Sequence, residues 1–333
     1  MIVPYKEEYA HEWDDFVLND SINGNFLQTR NFYSYHPDNR FQDASLMFYQ
    51  DDELAAVLPA NVVEDGKVLL AHQGSTFGGI VVGRKFANTT GYNWIFEEMI
   101  DYFQQTGYET VELRMHSNLY SPSNKSNELL DYYFQLNHFM SRSEIGFFMD
   151  VENLPENYVS SFEKLKKRKL NKAKKQNLIF CKLNTDAEVH GFYEVLSDNM
   201  KKFDTEPVHT EAELLEFKNS RLKDIVSFYG VYNKDEMIAG SMVFNFCNKK
   251  VFHTQYLASR QDKLEYCPNE FLYVGLIEAA RAEGYKYLSY GTASLNHGLV
   301  YNESLGRFKE GFNTDTYVNR CYIWQREKAQ CAI

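Results

Sequence analysis

The chain has 333 residues, a formal net charge of −11, and hydrophobic and charged fractions of 44% and 24%. Those values describe a globular protein long enough for two cores, and the acidic balance excludes a general nucleic-acid or DNA binder. No apolar run reaches the ~18 residues of a membrane span and the first residues lack a basic leader, so the expected location is cytoplasmic.

In chain order, Glu7 to Leu18 has helical spacing (Tyr9, Trp13, Phe16, Val17) and leads into the aromatic-rich segment Asn23 to Tyr33. Ser45 to Tyr49 and Leu54 to Val63 read as strands joined across Gln50-Asp51-Asp52-Glu53, a hairpin turn. Val68 to His72 is a further strand. The loop Gly74-Ser75-Thr76-Phe77-Gly78-Gly79 follows, where backbone can approach closely, either around a phosphate or in plain tight turns. Tyr92 to Thr106 is a helix stopped by Gly107, Tyr108 to Met115 a strand, and Ser117 to Asn127 a polar loop.

The second half repeats this order. Tyr232 to Ala239 (YNKDEMIA) stands 183 positions after Tyr49 to Ala56 (YQDDELAA), and Lys250-Val251 answers Lys67-Val68 at the same offset. A helix over Glu270 to Glu283 then ends at Gly284-Tyr285, where the first half has Gly107-Tyr108, 177 positions earlier. A shared order at a nearly constant offset predicts a tandem duplication of one α/β unit with mixed sheets, residues 1–150 and 151–333. Pro155 marks the link.

Ser160-Ser161-Phe162-Glu163 has the capping-box pattern, and the helix it opens carries Lys164, Lys166, Lys167, Arg168, Lys169, Lys172, Lys174 and Lys175. Phe162, Leu165, Leu170 and Ala173 form the arc expected to pack. Eight like charges on one helix repel, so either they form a solvated face or they meet phosphates or an anionic membrane.

From Tyr285 to Gly291 the chain reads as a buried strand holding Tyr290. It is followed by a polar loop and by Arg307-Phe308-Lys309-Glu310-Gly311-Phe312. A lysine between two rings has its stem packed and its ammonium aimed, and this is a candidate edge of an active site. The competing reading is a short strand whose lysine reaches water. A last aromatic strand covers Tyr317 to Trp324.

Phosphate-loop, dinucleotide, nucleophile-elbow and zinc-protease motifs are missing. The nine histidines are dispersed without ligand spacing, which predicts no metal; His72, His116 and His297 fall at strand ends or in loops where ligands collect in such folds. Five scattered cysteines (Cys181, Cys247, Cys267, Cys321, Cys331) without C-x-x-C read as reduced thiols. Cys267, beside a helix start, is either an inert thiol or one favoured as thiolate. The 16% aromatic content, 24 Tyr and 25 Phe, suits core packing or a groove for a flat or sugar-like ligand.

The hairpin, strand, loop, helix and strand order resembles the GNAT (N-acyltransferase) fold. The tandem copy, Asn23 to Phe32 (NGNFLQTRNF), Leu113-Arg114-Met115, Lys167 to Lys175 (KRKLNKAKK) and Ser304 to Phe312 (SLGRFKEGF) look like the Fem family and related FemAB-like proteins. Members of that family transfer amino acids onto peptidoglycan precursors. The resemblance implies that Lys309 and Phe308 lie beside the acyl-transfer centre, and that Lys167 and Arg168 face the phosphates of a nucleotide-linked acceptor. It also places Arg114 on the corresponding first-domain strand. Arg307 and Tyr290 join these as substrate-binding candidates. Two positions depart from the family. His116 stands where an acidic residue is common, and Ser259 to Asn269 lacks the Gly-x-Gly that holds the CoA pyrophosphate.

The implied activity is transfer of an acyl or aminoacyl group from an activated ester or thioester to an amine of a cell-envelope or nucleotide-linked precursor. No cofactor is tightly held, acyl-CoA or aminoacyl-tRNA is the donor, and tRNA and an anionic membrane surface are candidate partners. Such a reaction needs a proton acceptor, for which His116 is the candidate, and an oxyanion partner, for which Lys309 is suited unless it meets the donor's phosphates. The rival of another class is a non-catalytic duplicated module that binds an anionic envelope precursor.

Overall fold

The structure, a computed structural model, describes residues 1–37, 40–123, 127–202 and 204–326; Cys331 and part of the polar loop after Ser117 lie outside them. The chain forms two compact units that are not consecutive halves. One holds residues 1–145, 294–300 and 318–333, the other 146–293 and 301–317. The strands Met140–Asp150 and Asp315–Gln325 each begin in one unit and end in the other.

In the first unit the strand expected over Leu54 to Val63 is two strands, Glu53–Leu58 and Ala60–Val63. Pro59, without an N–H, breaks the ladder, and the pieces join different sheets. The helix expected from Glu7 splits into a 3₁₀ turn, the helix Ala10–Asp15 and a π turn over Phe16–Asp20. The long helix Thr89–Thr106 is capped by the Asn88 side chain and stopped by Gly107 at φ +92°. Its face (Tyr92, Ile95, Phe96, Met99, Phe103) packs into a core shared with Leu113, Phe134, Tyr322 and Trp324. Thr110–Met115 runs parallel to Val68–Ala71 and antiparallel to residues 320–325.

The second unit repeats the order. Ile179–Leu183, Val226–Asn233, Glu236–Phe246 and Val251–Ser259 form an antiparallel ladder. The helix Pro268–Ala282 follows and ends before Gly284 at φ +79°, the counterpart of Gly107. Tyr287–Thr292 then pairs parallel to Val251–Ser259 and antiparallel to residues 146–150. Two elements the sequence reading did not place, the helices Asp186–Lys201 and Glu211–Glu216, both start at true capping boxes on Thr185 and Thr210.

Two expectations near the candidate site change. The basic helix spans Lys164–Lys174 and has no capping box: Glu163 is its N-cap and makes no side-chain cap bond, while Ser160 and Ser161 lie in a 3₁₀ turn. Its packed arc is Lys166, Leu170 and Ala173, with Leu165 turned out to solvent. The segment Arg307 to Phe312 is no strand: Arg307 to Glu310 end the helix Glu303–Glu310, capped by the Asn302 side chain at Leu305 N, and Gly311 and Phe312 form the turn that leaves it.

Candidate active site

In the second unit the parallel strands pair for only three residues, from Val251 with Tyr287 to His253 with Ser289, and then part. Thr254 Oγ donates to Ser289 O at 3.0 Å across the start of the opening. Gly291, at φ +70°, follows in the opening. A Cβ built there would stand 3.9 Å from Lys309 Nζ, 3.9 Å from His253 Cε1 and 4.0 Å from Thr254 O. The missing side chain is what leaves one small space bordered by a cation, an imidazole and a carbonyl.

Lys309 is 4% exposed, and its Nζ donates to Thr292 O at 2.6 Å with the Phe147 ring centroid 6.0 Å away. Burial alone holds its pKa down at about 7. A lysine there is close to its midpoint at neutral pH, and its ammonium keeps two N–H groups beyond the one given to Thr292. His253 donates to or accepts from Ser289 Oγ at 3.1 Å, and burial followed by the nearby Lys309 charge lowers its pKa to about 3. It is a neutral imidazole at any working pH. Tyr290 is buried, stacks on Tyr273 at 4.5 Å, and its hydroxyl has no hydrogen-bond partner among the described residues.

Lys309 is not held between Phe308 and Phe312. On a helix, residues i and i+4 share a face and residue i+1 points about 100° away. The two rings sit together at 5.5 Å, and the cation on them is Lys166, whose Nζ lies 3.3 Å from the Phe308 centroid and 4.5 Å from that of Phe312. Lys166 Nζ also donates to Glu270 Oε1 at 3.1 Å, and Lys169 Nζ reaches the same oxygen at 3.4 Å. Lys166 and Glu270 are both buried, and desolvation, partly offset by Glu270, lowers the lysine to about 8. Nothing in the K-L-K-K-R-K run marked Lys166 as the buried member.

Glu270 also lies near a helix start. It stands in the first turn of the helix Pro268–Ala282, which starts from Cys267 in a left-handed conformation (φ +56°) and has Pro268, without an N–H, at its head. Pro268 takes one free amide away from that helix start, and the Glu270 carboxylate in its first turn is already paired with Lys166 and Lys169. The Cys267 thiol is buried with its pKa raised, first by desolvation and then by Glu270, so the thiolate reading fails.

The remaining candidates separate. Arg307 is an exposed side chain facing Glu303 at 3.4 Å. Lys167 donates to Ser160 O at 3.0 Å and Arg168 is exposed. Arg114 and His116 belong to the first unit and Lys309 to the second. Arg114 Nε meets Glu112 at 3.3 Å, and Arg142 holds the other oxygen of that carboxylate at 2.8 Å. His116 is 3% exposed with Nε2 at 2.6 Å from Asn23 O and Nδ1 at 3.0 Å from Ser117 O. A carbonyl only accepts, so the ring must donate to it, which is the opposite of what a general base offers.

The parallel strands of the first unit also part after three residue pairs, but their opening is filled from within. Gly78 N and Gly79 N both donate to Arg114 O, at 3.2 and 3.0 Å, and a Cβ on Gly79 would fall 1.9 Å from Met115 Sδ. Both amides are thereby committed, and the phosphate reading of that loop loses its donors. His72 stacks on Tyr33 at 4.0 Å, and its pKa is lowered to about 4, chiefly by burial, as in a structural histidine. His297 lines a crevice with Arg114, Met115 and Arg320.

Residues 160–301 match the family described as Acetyltransferase (GNAT) domain. No curated protein matches the chain significantly. Among solved structures, FemX is 12% identical and superposes with a TM-score of 0.65, covering 100% of this chain and 99% of its own. The C-terminal domain (DUF2156) of a putative lysylphosphatidylglycerol synthetase from Agrobacterium fabrum is 12% identical, with a TM-score of 0.62 over 98% and 94%. A tandem GNAT protein from the clavulanic acid biosynthesis pathway is 8% identical, with a TM-score of 0.56 over 98% of each. The two units, each with a parallel pair that opens after three residues, thus have the fold of the Fem-like tandem GNAT proteins, with the GNAT domain match falling on the second.

Proposed function

We propose that the protein is an N-acyltransferase whose centre is the strand opening of the second unit. On this reading it moves an acyl or aminoacyl group from an activated ester or thioester to the amine of a nucleotide-linked or cell-envelope precursor. The observation that carries it is Lys309, a buried lysine with no carboxylate partner among the described residues, bonded to one carbonyl and aimed at the gap above Gly291. When an amine attacks a carbonyl carbon, the oxygen takes on negative charge and the nitrogen must lose a proton. The lysine's remaining N–H groups suit that oxygen, in a partly dry site where one well-placed donor is worth on the order of 10²–10³ in rate. The leaving oxygen or sulfur takes up the proton as the bond to the acyl carbon breaks. Aminoacyl-tRNA is the favoured donor and acyl-CoA the alternative, because Pro268, without an N–H, heads the helix end where a pyrophosphate would be received. Exposed Lys164, Arg168, Lys172, Lys174 and Lys175 form no ion pair among the described residues, which suits a phosphate-bearing substrate.

The deciding assay offers both donors with amine-bearing, UDP-linked envelope precursors and follows new amide by mass spectrometry. Amide formation that falls ~10²-fold or more in Lys309→Ala, with precursor binding retained, is the expected result. Tight precursor binding with no transfer from either donor would leave the non-catalytic binding module in its place.

A further inference from the structure

We propose that Lys166 is a positioning residue for Lys309: clamped between Phe308, Phe312 and Glu270, it fixes the helix that delivers the site lysine. The inference rests on the role given to Lys309 above, and its test separates the two.

Three elements meet at this ammonium. The basic helix supplies Lys166, the helix Pro268–Ala282 supplies Glu270, and the Lys309 helix with its exit supplies the two rings. Phe308 is the immediate neighbour of Lys309 in sequence, so the cation that holds the ring also sets the rotation of the helix about its own axis. A one-residue rotation error of 100° would carry Lys309 out of the opening.

The backbone is shaped for this contact. Gly311 is in an ordinary helical conformation (φ −59°), so its identity is not a matter of dihedral angles. A Cβ there would lie 2.9 Å from Lys166 Cε and 3.0 Å from its Cγ, and the lysine stem crosses at the place where a side chain is missing. Beside it Glu163 N donates to Gly311 O at 2.9 Å, a second tie between the same two helices. An apolar residue would fill the same gap against the rings without desolvating a charge. The ammonium adds a directed bond to Glu270 and a fixed distance to both ring faces. The groups around Lys309 itself are the Thr292 carbonyl, the neutral His253 and the Phe147 ring, with no acid among the described residues to hold the ammonium by charge. Its position therefore depends on the helix that carries it.

Competitive labelling of the full chain with acetic anhydride across pH 6 to 11, read by peptide mass spectrometry, reports the titration of Lys309 without any substrate. In the unmodified protein Lys309 is expected to titrate near its lowered value of about 7. Lys166→Met should raise it by about one unit or more as the helix loosens and water reaches the amine. Lys166→Arg, which still lies over the rings and meets Glu270, should keep it within about half a unit. Lys169→Met, which removes the other cation on Glu270 but no ring contact, should leave it unchanged. If Lys166→Met fails to fold because the buried Glu270 is left with Lys169 alone, the double change Lys166→Met with Glu270→Leu removes that burden and carries the same expectation. In the transfer assay Lys166→Met should lower kcat about tenfold or more with KM nearly unchanged. A folded Lys166→Met protein whose Lys309 titrates as before would overturn the proposal. A raised Lys309 pKa in a protein that transfers no acyl group would uphold the clamp and sink only the acyl-transfer reading.

Discussion

Lys309 carries opposite consequences for stability and for activity. Its folded pKa, about 7, lies below the ~10.4 of an unfolded lysine, so between those values the unfolded state binds more protons. Stability from this group therefore rises as pH climbs from about 7 to about 10, and below 7 the buried charge is a standing cost. Lys309→Met is expected to raise the melting temperature at pH 6, with the gain shrinking toward pH 10 in scans across that range; a gain that does not vary with pH would contradict the titration. If the ammonium is the oxyanion donor, kcat/KM should fall above about pH 7, and Lys309→Ala should remove that limb along with most of the rate. Lys309→Arg should rescue poorly, since a planar fork does not replace a compact ammonium. Gly311→Ala is a purely steric test. Its methyl meets a Lys166 stem held by two rings and a carboxylate, and a loss of about 1–3 kcal/mol is expected in denaturant unfolding. An Ala variant as stable as the parent would mean that the stem yields freely.

The basic helix shows how one element divides its charges. Lys166 is taken inside, Lys169 meets Glu270, Lys167 caps Ser160 O, and the other five cations remain on the solvent side. Exposed charges contribute little to stability, so Lys167→Glu with Arg168→Glu should change unfolding by less than about 1 kcal/mol. The same pair should weaken binding of a UDP-linked precursor and flatten its salt dependence, since fewer phosphates are neutralised. Unchanged affinity in calorimetric titrations would return this helix to a plain solvated face. The helix was readable from its charge run, but its packed arc was not. A 3.6-residue pattern places Leu165 inside only if every inward position must be apolar, and Glu270 makes a lysine acceptable one position later.

On the scale of the molecule, the first unit is not closed by the first 145 residues. Arg320 to Gln325 pair with Thr110–Met115, and Tyr322 and Trp324 are buried in the same core as Phe96, Phe103 and Phe134. A fragment of residues 1–150 lacks that strand and leaves Phe134 without its stacked partner Tyr322 (4.1 Å). It is expected to lose near-UV dichroism and cooperative melting. A fragment that unfolds in one sharp transition would show that the strand is dispensable.

The sequence by itself determined the repeated unit, because hairpins, glycine stops and strand patterns are local signals. Asp51-Asp52 take positive φ in their turn, and Gly107 and Gly284 the left-handed caps, as their residue types dictate. It also singled out Lys309 and Phe308. Only the tertiary structure decided that the rings hold Lys166 rather than Lys309, because a short aromatic–lysine run reads equally well as strand or helix until Asn302 caps it. Tertiary structure likewise turned His116 toward two carbonyls and filled the first opening with Gly78 and Gly79 while leaving the second open at Gly291. Those outcomes depend on which backbone groups from distant segments meet, a matter of long-range pairing that no spacing along the chain records.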